Sequence, residues 1–137
     1  MVAQKRLDMF FATNKEKGRA GLSMGIAYFG SNGYNVSIPL NDTQDYDLIV
    51  EKDNNFQKVQ CKSTGKMNKN KLFYIVKLDS YGGLNGGTYY GTVKDGAADL
   101  LFILTVNKDM YLIPTDIIVQ TRTLTLTNDY DKYKVYL

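Results

Sequence analysis

Between Asp47 and Lys62 the chain alternates apolar and polar positions in two short runs, Asp47-Leu48-Ile49-Val50-Glu51-Lys52 and Phe56-Gln57-Lys58-Val59-Gln60-Cys61-Lys62. They flank Asp53-Asn54-Asn55, whose short polar side chains favour turns, so the stretch predicts a β-hairpin. With Asn54-Asn55 as a two-residue loop, Asp53 faces Phe56, Val50 faces Val59, Leu48 faces Cys61 and Asp47 faces Lys62. Side chains alternate along a strand, so Leu48, Val50, Val59 and Cys61 form one surface. Asp47, Glu51, Lys58, Gln60 and Lys62 form the other, with Ile49 the one apolar exception. A slip of one residue would bury the charges, so the pattern itself opposes it.

The same reading extends along the chain. Residues 1–16 hold Leu7, Met9, Phe10 and Phe11 among charges and fit a helical or an extended arm equally. From about Lys17 to Ser31, Ala20, Met24, Ala27 and Tyr28 recur at helical spacing, with Asn32-Gly33 as the stop. Glycines weaken this helix and permit close packing on a sheet. A strand is expected over Tyr34–Ile38, closed by Pro39 and followed by a polar loop at Asn41–Gln44. Further strands are expected at Leu72–Leu78 and, as a hairpin over Asn107-Lys108-Asp109, at Leu100–Val106 and Met110–Ile113. A short helix fits Asp95–Asp99. Ser80–Gly91, rich in glycine and tyrosine, reads as a flexible loop without the Lys-Ser/Thr ending of a nucleotide-binding P-loop. It could order on DNA or stay disordered. From Ile117 to Leu137 alternating Thr and apolar residues predict more strand.

Composition narrows the chemistry. The 137 residues are 44% hydrophobic, which suits a single globular domain over 1–137. Net charge is +3, compatible with an anionic partner without requiring one. There is no histidine, which removes imidazole acid–base chemistry, Ser-His and Cys-His nucleophiles, and histidine-bearing zinc sites. The single cysteine, Cys61, has no internal disulfide partner and falls on the apolar surface, as a small buried hydrophobe in a reducing compartment does. No membrane-length apolar run or secretory signal is visible, so a cytoplasmic location is expected.

Any catalysis must therefore use carboxylates, lysine and metal. The hairpin puts Asp47, Gln60 and Lys62 on one patch, offering oxygen ligands to a hard cation and an ammonium to a phosphodiester. Asp at a strand start and Lys on a solvated face are also ordinary surface features. The same duality holds for Lys66, Lys69 and Lys71, which form a solvated basic loop or contacts to nucleic-acid backbone.

Several ordered runs together resemble the PD-(D/E)XK nuclease superfamily. They are Lys17-Gly18 opening a helix, Asn32-Gly33-Tyr34-Asn35-Val36-Ser37-Ile38-Pro39-Leu40, Tyr46-Asp47-Leu48-Ile49-Val50 and Val59-Gln60-Cys61-Lys62-Ser63. Ala98-Asp99-Leu100-Leu101-Phe102 and Met110-Tyr111-Leu112-Ile113-Pro114 complete the set. The likeness is to small intron-encoded homing endonucleases, with Holliday-junction resolvases more distant. It implies an α/β, restriction-endonuclease-like fold, a mixed central β-sheet flanked by helices, here with extra C-terminal strands. It also implies a metal-dependent DNA endonuclease using Mg²⁺, with Mn²⁺ as a substitute. Asp47 would be the metal-bridging acid, Gln60 would replace the usual second acid, and Lys62 would be the catalytic lysine. The Cys61 carbonyl would be a further metal ligand, and Lys66, Lys69 and Lys71 would contact DNA. So small a chain would cover a long site as a homo-oligomer. Related nucleases often carry a glutamate one turn into the first helix; here that spacing meets Gly21-Leu22, and Glu16 lies before the expected helix. A junction resolvase and a non-catalytic DNA-binding or interaction domain on the same fold are the alternatives.

Overall fold

The computed structural model describes residues 13–41, 45–82, 88–92 and 98–137. Residues 1–12 of the arm expected over 1–16, residues 42–44 of the loop expected at Asn41–Gln44, and residues 95–97 of the short helix expected at Asp95–Asp99 lie outside them. Helix α1 spans Asn14–Ser31, three residues earlier than its apolar periodicity indicates. Its start has a capping-box sequence, Thr13-x-x-Glu16, with the side chains closed on each other: the Glu16 amide donates to Thr13 Oγ1 at 3.2 Å, and that hydroxyl, in place of the Thr13 amide, donates to Glu16 Oε1 at 3.0 Å. Glu16 is thus inside the first turn rather than before the helix, and Thr13-x-x-Glu16 is the sequence signal for it. The C-terminal stop falls where Asn32-Gly33 places it. Gly33 adopts φ +83, letting the Tyr34 amide reach back to the Phe29 carbonyl at 3.1 Å.

Strands β1 (Asn35–Ser37), β2 (Leu48–Lys52) and β3 (Asn55–Thr64) follow. Next come β4 (Ile75–Lys77), β5 (Asp79–Gly82) and β6 (Thr88–Thr92), then β7 (Leu100–Thr105) and β8 (Met110–Pro114). The tail gives β9 (Thr123–Thr125) and β10 (Lys134–Val135), with 3-10 turns at Thr115–Ile117 and Asn128–Tyr133 in place of continuous strand. The main sheet has six strands in the order β1-β2-β3-β7-β8-β10. It is mixed because β3 and β7 run parallel while its other neighbours are antiparallel. Two-stranded ladders β4-β9 and β5-β6 stand apart from it. The fold class is the expected mixed α/β one.

The parallel pair is central, and its composition follows from burial on both faces. All six residues of β7 are buried, so the strand reads as a continuous apolar run. Leu100, Phe102 and Leu104 join Leu48, Val50, Val59 and Phe29 under α1. Leu101 and Ile103 point the other way, onto Val76, Leu78, Ile113, Ile118 and Leu124. One face of the sheet is therefore covered by a helix, and the other by β4, β9 and the 3-10 segments. Phe29, with no exposed surface, anchors the helical side; burying such a side chain contributes roughly 1.5–3 kcal/mol.

Three expectations need correction here. The β2-β3 turn is Asp53-Asn54, both at positive φ (54 and 63), the geometry of the two-residue hairpin turn whose twist matches its strands. Leu48 therefore pairs with Val59 rather than Cys61, and Val50 with Gln57 rather than Val59. The partner of every residue moves by two, so each side chain keeps its face and only its neighbour changes. Second, Ser80–Gly91 is not simply a loop. Asp79–Gly82 and Thr88–Thr92 pair antiparallel with an irregularity at Ser80/Tyr81, the β-favouring Thr88-Tyr89-Tyr90 outweighing the nearby glycines; residues 83–87 lie outside the described part. Third, the strand expected at Leu72–Leu78 narrows to Ile75–Lys77. Asn68 delays its start: its side-chain oxygen accepts the Leu72 and Phe73 amides at 3.0 and 3.2 Å, and Lys71 turns at φ +54. Among the described residues no helix is long and apolar enough to cross a membrane.

Candidate active site

The β2-β3 ladder stops at Leu48 and Val59, yet β3 continues to Thr64. Asp47 stands at that step. Its amide donates to the Val59 carbonyl at 2.8 Å, and its Oδ2 accepts the Cys61 amide at 2.7 Å. The carboxylate takes the place of a ladder acceptor and holds Asp47 level with Gln60. The expected pairing of Asp47 with Lys62 is thus replaced by Asp47 beside Gln60, with Lys62 two residues further along the same face.

Alternation along β3 fixes which way each group points. Val59 and Cys61 pack toward α1, so Gln60 and Lys62 project from the opposite face, where β4 and β5 lie. Cys61 is half-buried between helix and sheet. Burial, and secondarily the Asp47 charge, push its thiol pKa far above the ordinary range, consistent with packing rather than nucleophilic chemistry.

The charges on the patch sit in a partly desolvated setting. Burial raises the Asp47 pKa above the usual carboxylate value, opposed by the Cys61 amide and the Lys62 charge. Burial lowers the Lys62 pKa; Asp47 and Asp79 push it back up, while Lys77 lowers it further. Asp79 and Lys77 were not among the expected site residues. Asp79 is 6% exposed at the start of β5, and only tertiary structure brings it to Lys62.

The donor set suits a hard cation. Among the described residues no three His, Cys, Asp or Glu side chains cluster together. A cation at this point would rest on one carboxylate, the Gln60 amide oxygen, backbone oxygen such as that of Cys61, and water, a mode in which Mg²⁺ keeps much of its hydration. Helix α1 approaches the same strand from behind. The Ser63 hydroxyl donates to the Lys17 carbonyl at 2.7 Å, and a Cβ on Gly21 would lie 3.2 Å from the Lys62 carbonyl. Gly21 is thus a contact residue, Leu22 packs against the helical core, and no carboxylate occupies the turn where related nucleases often place one. The Glu16 carboxylate is engaged by its capping box.

The three expected DNA-contacting lysines divide between two places. Lys66 extends β3 toward β4, its carbonyl accepting the Ile75 amide at 2.8 Å. Lys69 and Lys71 are exposed on the tight turn organised by Asn68.

Comparison with known proteins bears on the fold and the family. A solved bacterial homing endonuclease, I-Ssp6803I, has the same fold, with a TM-score of 0.73 and 21% identity over 90% of this chain and 89% of that chain. The structure of MepB aligns with a TM-score of 0.42 and 14% identity, over 82% of this chain and 94% of that one. A comparison with curated proteins found no match. A family model described as PD-(D/E)XK endonuclease matches residues 12–133. Covering α1, the β2-β3 step and every strand of the central sheet except β10, that match places the chain in the PD-(D/E)XK endonuclease family.

Proposed function

We propose that the chain is a Mg²⁺-dependent DNA endonuclease, similar to homing endonucleases, that hydrolyses phosphodiester bonds at the Asp47, Gln60 and Lys62 patch. The observation that carries this reading is the step in the β2-β3 ladder, which holds Asp47 beside Gln60 with Lys62 on the same face. A bound Mg²⁺ would supply Lewis acidity and a water of lowered pKa. Asp47, with Oδ2 tied to the Cys61 amide, keeps its other oxygen for the cation; Gln60 and the Cys61 carbonyl add neutral oxygens. The Lys62 ammonium offsets charge developing on the phosphate. Mn²⁺, another oxygen-binding cation, should substitute.

Lys66, Lys69 and Lys71 contribute contacts to backbone phosphates on this reading. A homo-oligomer would extend the length of DNA covered. An unpaired Cys61 suits a reducing, cytoplasmic setting. The glycine at position 21, where related nucleases often carry an acid, favours one second reading: a non-catalytic DNA-binding domain on the same fold. A junction resolvase would use the same chemistry with a different substrate.

The experiment is incubation with linear, supercoiled and four-way-junction DNA, each with Mg²⁺, Mn²⁺ or chelator. Metal-dependent cleavage of linear or supercoiled DNA at defined positions is expected. Cleavage confined to the junction identifies a resolvase, and binding without cleavage under every condition identifies the non-catalytic domain.

A further inference from the structure

A concave cleft of about 700 Å³ opens at the C-terminal end of β3, one residue beyond Lys62. Thr64, Lys66, Lys77, Asp79, Arg122 and Thr123 are among its lining residues. The three cations come from distant parts of the sequence, and the Lys66 carbonyl, which accepts the Ile75 amide at 2.8 Å, ties the end of β3 to β4. The Lys66 amide donates to Thr64 Oγ1 at 3.2 Å. Lys77 on β4 pairs with Thr123 on β9, and the Arg122 carbonyl accepts the Leu78 amide at 2.7 Å. Each exposed cationic side chain therefore leaves a fixed backbone position.

Among the described residues that line the cleft, Lys66, Lys77 and Arg122 outnumber the one carboxylate, Asp79, a balance that favours an anion. The cleft borders the nuclease patch: Ser63 and Thr64, the residues that follow Lys62 on β3, line it, and Lys77 and Asp79 of its wall act electrostatically on Lys62. Two residues along an extended strand cover about 7 Å, which separates Lys62 from Thr64. The cleft therefore lies next to the position of a phosphate held at Lys62.

We propose that this cleft seats a non-scissile backbone phosphate of the DNA strand, held by Lys66, Lys77 and Arg122, and so fixes the register of that strand over Asp47 and Lys62. The proposal rests on the nuclease reading for the identity of its ligand. Lys77 and Arg122 become DNA-contacting residues in addition to Lys66. Because the contacts are to phosphate, they add affinity and positioning without base preference.

The test measures binding of linear duplex DNA over a salt series in chelator, so that cleavage plays no part. The proteins are the parent, Lys77→Ala/Arg122→Ala, Lys77→Arg/Arg122→Lys, and Lys132→Ala as a control on the 3-10 segment. The double alanine variant is expected to lose about two units of log–log salt slope, whereas the charge-retaining pair and the control keep the parental slope. The Arg122 contact to β4 runs through its backbone carbonyl, and circular dichroism verifies that the alanine variant is folded. A parental slope in the folded alanine variant overturns the cleft assignment, even if the parent cuts DNA. Loss of slope in a protein that never cuts supports the cleft and overturns the nuclease reading. A parent that does not bind DNA overturns both.

Discussion

Asp47 accepts the backbone amide of Cys61 on Oδ2 at 2.7 Å, where the β2-β3 ladder has already ended. This bond draws a carboxylate into a partly buried position. Burial raises its pKa even though the Cys61 amide and Lys62 both favour the charged form. The patch that would bind a cation is thus a place where the protein without one carries an unfavourable charge.

Stability should reveal that conflict. Between the unfolded and the raised folded pKa of Asp47 the folded state binds the extra proton, so this group's contribution to stability falls as pH rises through that window. Asp47→Asn keeps an acceptor for the Cys61 amide and removes the charge. In chelator it should melt at a higher temperature than the parent at neutral pH, with the advantage disappearing below the ordinary aspartate value of about 3.9. Asp47→Ala should be less stable than Asp47→Asn, since an amide left without its acceptor costs about 1–3 kcal/mol. A parent more stable than Asp47→Asn at neutral pH contradicts the burial argument.

The pH–rate profile should be narrowed from both sides. Cleavage needs Asp47 ionised and Lys62 charged; burial raises the first pKa and lowers the second. The acid limb should therefore lie above the ordinary aspartate range and the alkaline limb below the ordinary lysine value of about 10.4. Single-turnover rates at a metal concentration well below saturation, where the metal-free protein sets the titration, measure both limbs, and an alkaline limb unchanged in a Lys62→Arg variant that still cuts would remove Lys62 from the assignment.

Glycines in α1 should respond oppositely to alanine. A Cβ on Gly18 meets nothing within 4 Å, whereas one on Gly25 would stand 2.9 Å from Cys61 Sγ and 3.4 Å from Phe102 Cδ1. Gly18→Ala should stabilise by up to about 1 kcal/mol through helix propensity. Gly25→Ala should lose about 1–3 kcal/mol to overpacking, with partial rescue by Cys61→Ala. Denaturant midpoints give the comparison; equal gains at both positions would mean that α1 does not press on β3 at Gly25.

Gln60 makes a further test of the oxygen-ligand assignment. Replacing its neutral amide oxygen by a carboxylate in Gln60→Glu should preserve metal binding and lower the Mg²⁺ concentration needed for half-maximal cleavage. An unchanged metal requirement would place Gln60 outside the metal's reach.

Much of the site could be read from the chain because a hairpin's faces depend only on alternation. Asp47, Gln60 and Lys62 keep a common face even though the turn falls one position earlier than expected. Pairing was less legible: Asp53-Asn54 and Asn54-Asn55 both tolerate positive φ, and the choice between them moves Asp47 from Lys62 to Gln60. Glu16 was misplaced because the apolar spacing of α1 starts after its capping box. Lys77, Asp79 and Arg122 gave no local signal, since they meet only when β4 pairs with β9 and the β5 end turns toward β3.

The central claim is that phosphodiester hydrolysis occurs at Asp47 and Lys62 with a divalent cation. Its most direct measurement is single-turnover cleavage of a bound DNA substrate by the parent, Asp47→Ala and Lys62→Ala, with Mg²⁺ and with chelator. The account predicts cleavage by the parent in Mg²⁺ alone, and loss of cleavage in both folded variants with DNA binding retained. Cleavage by Asp47→Ala at the parental rate, or by the parent in chelator, would contradict it.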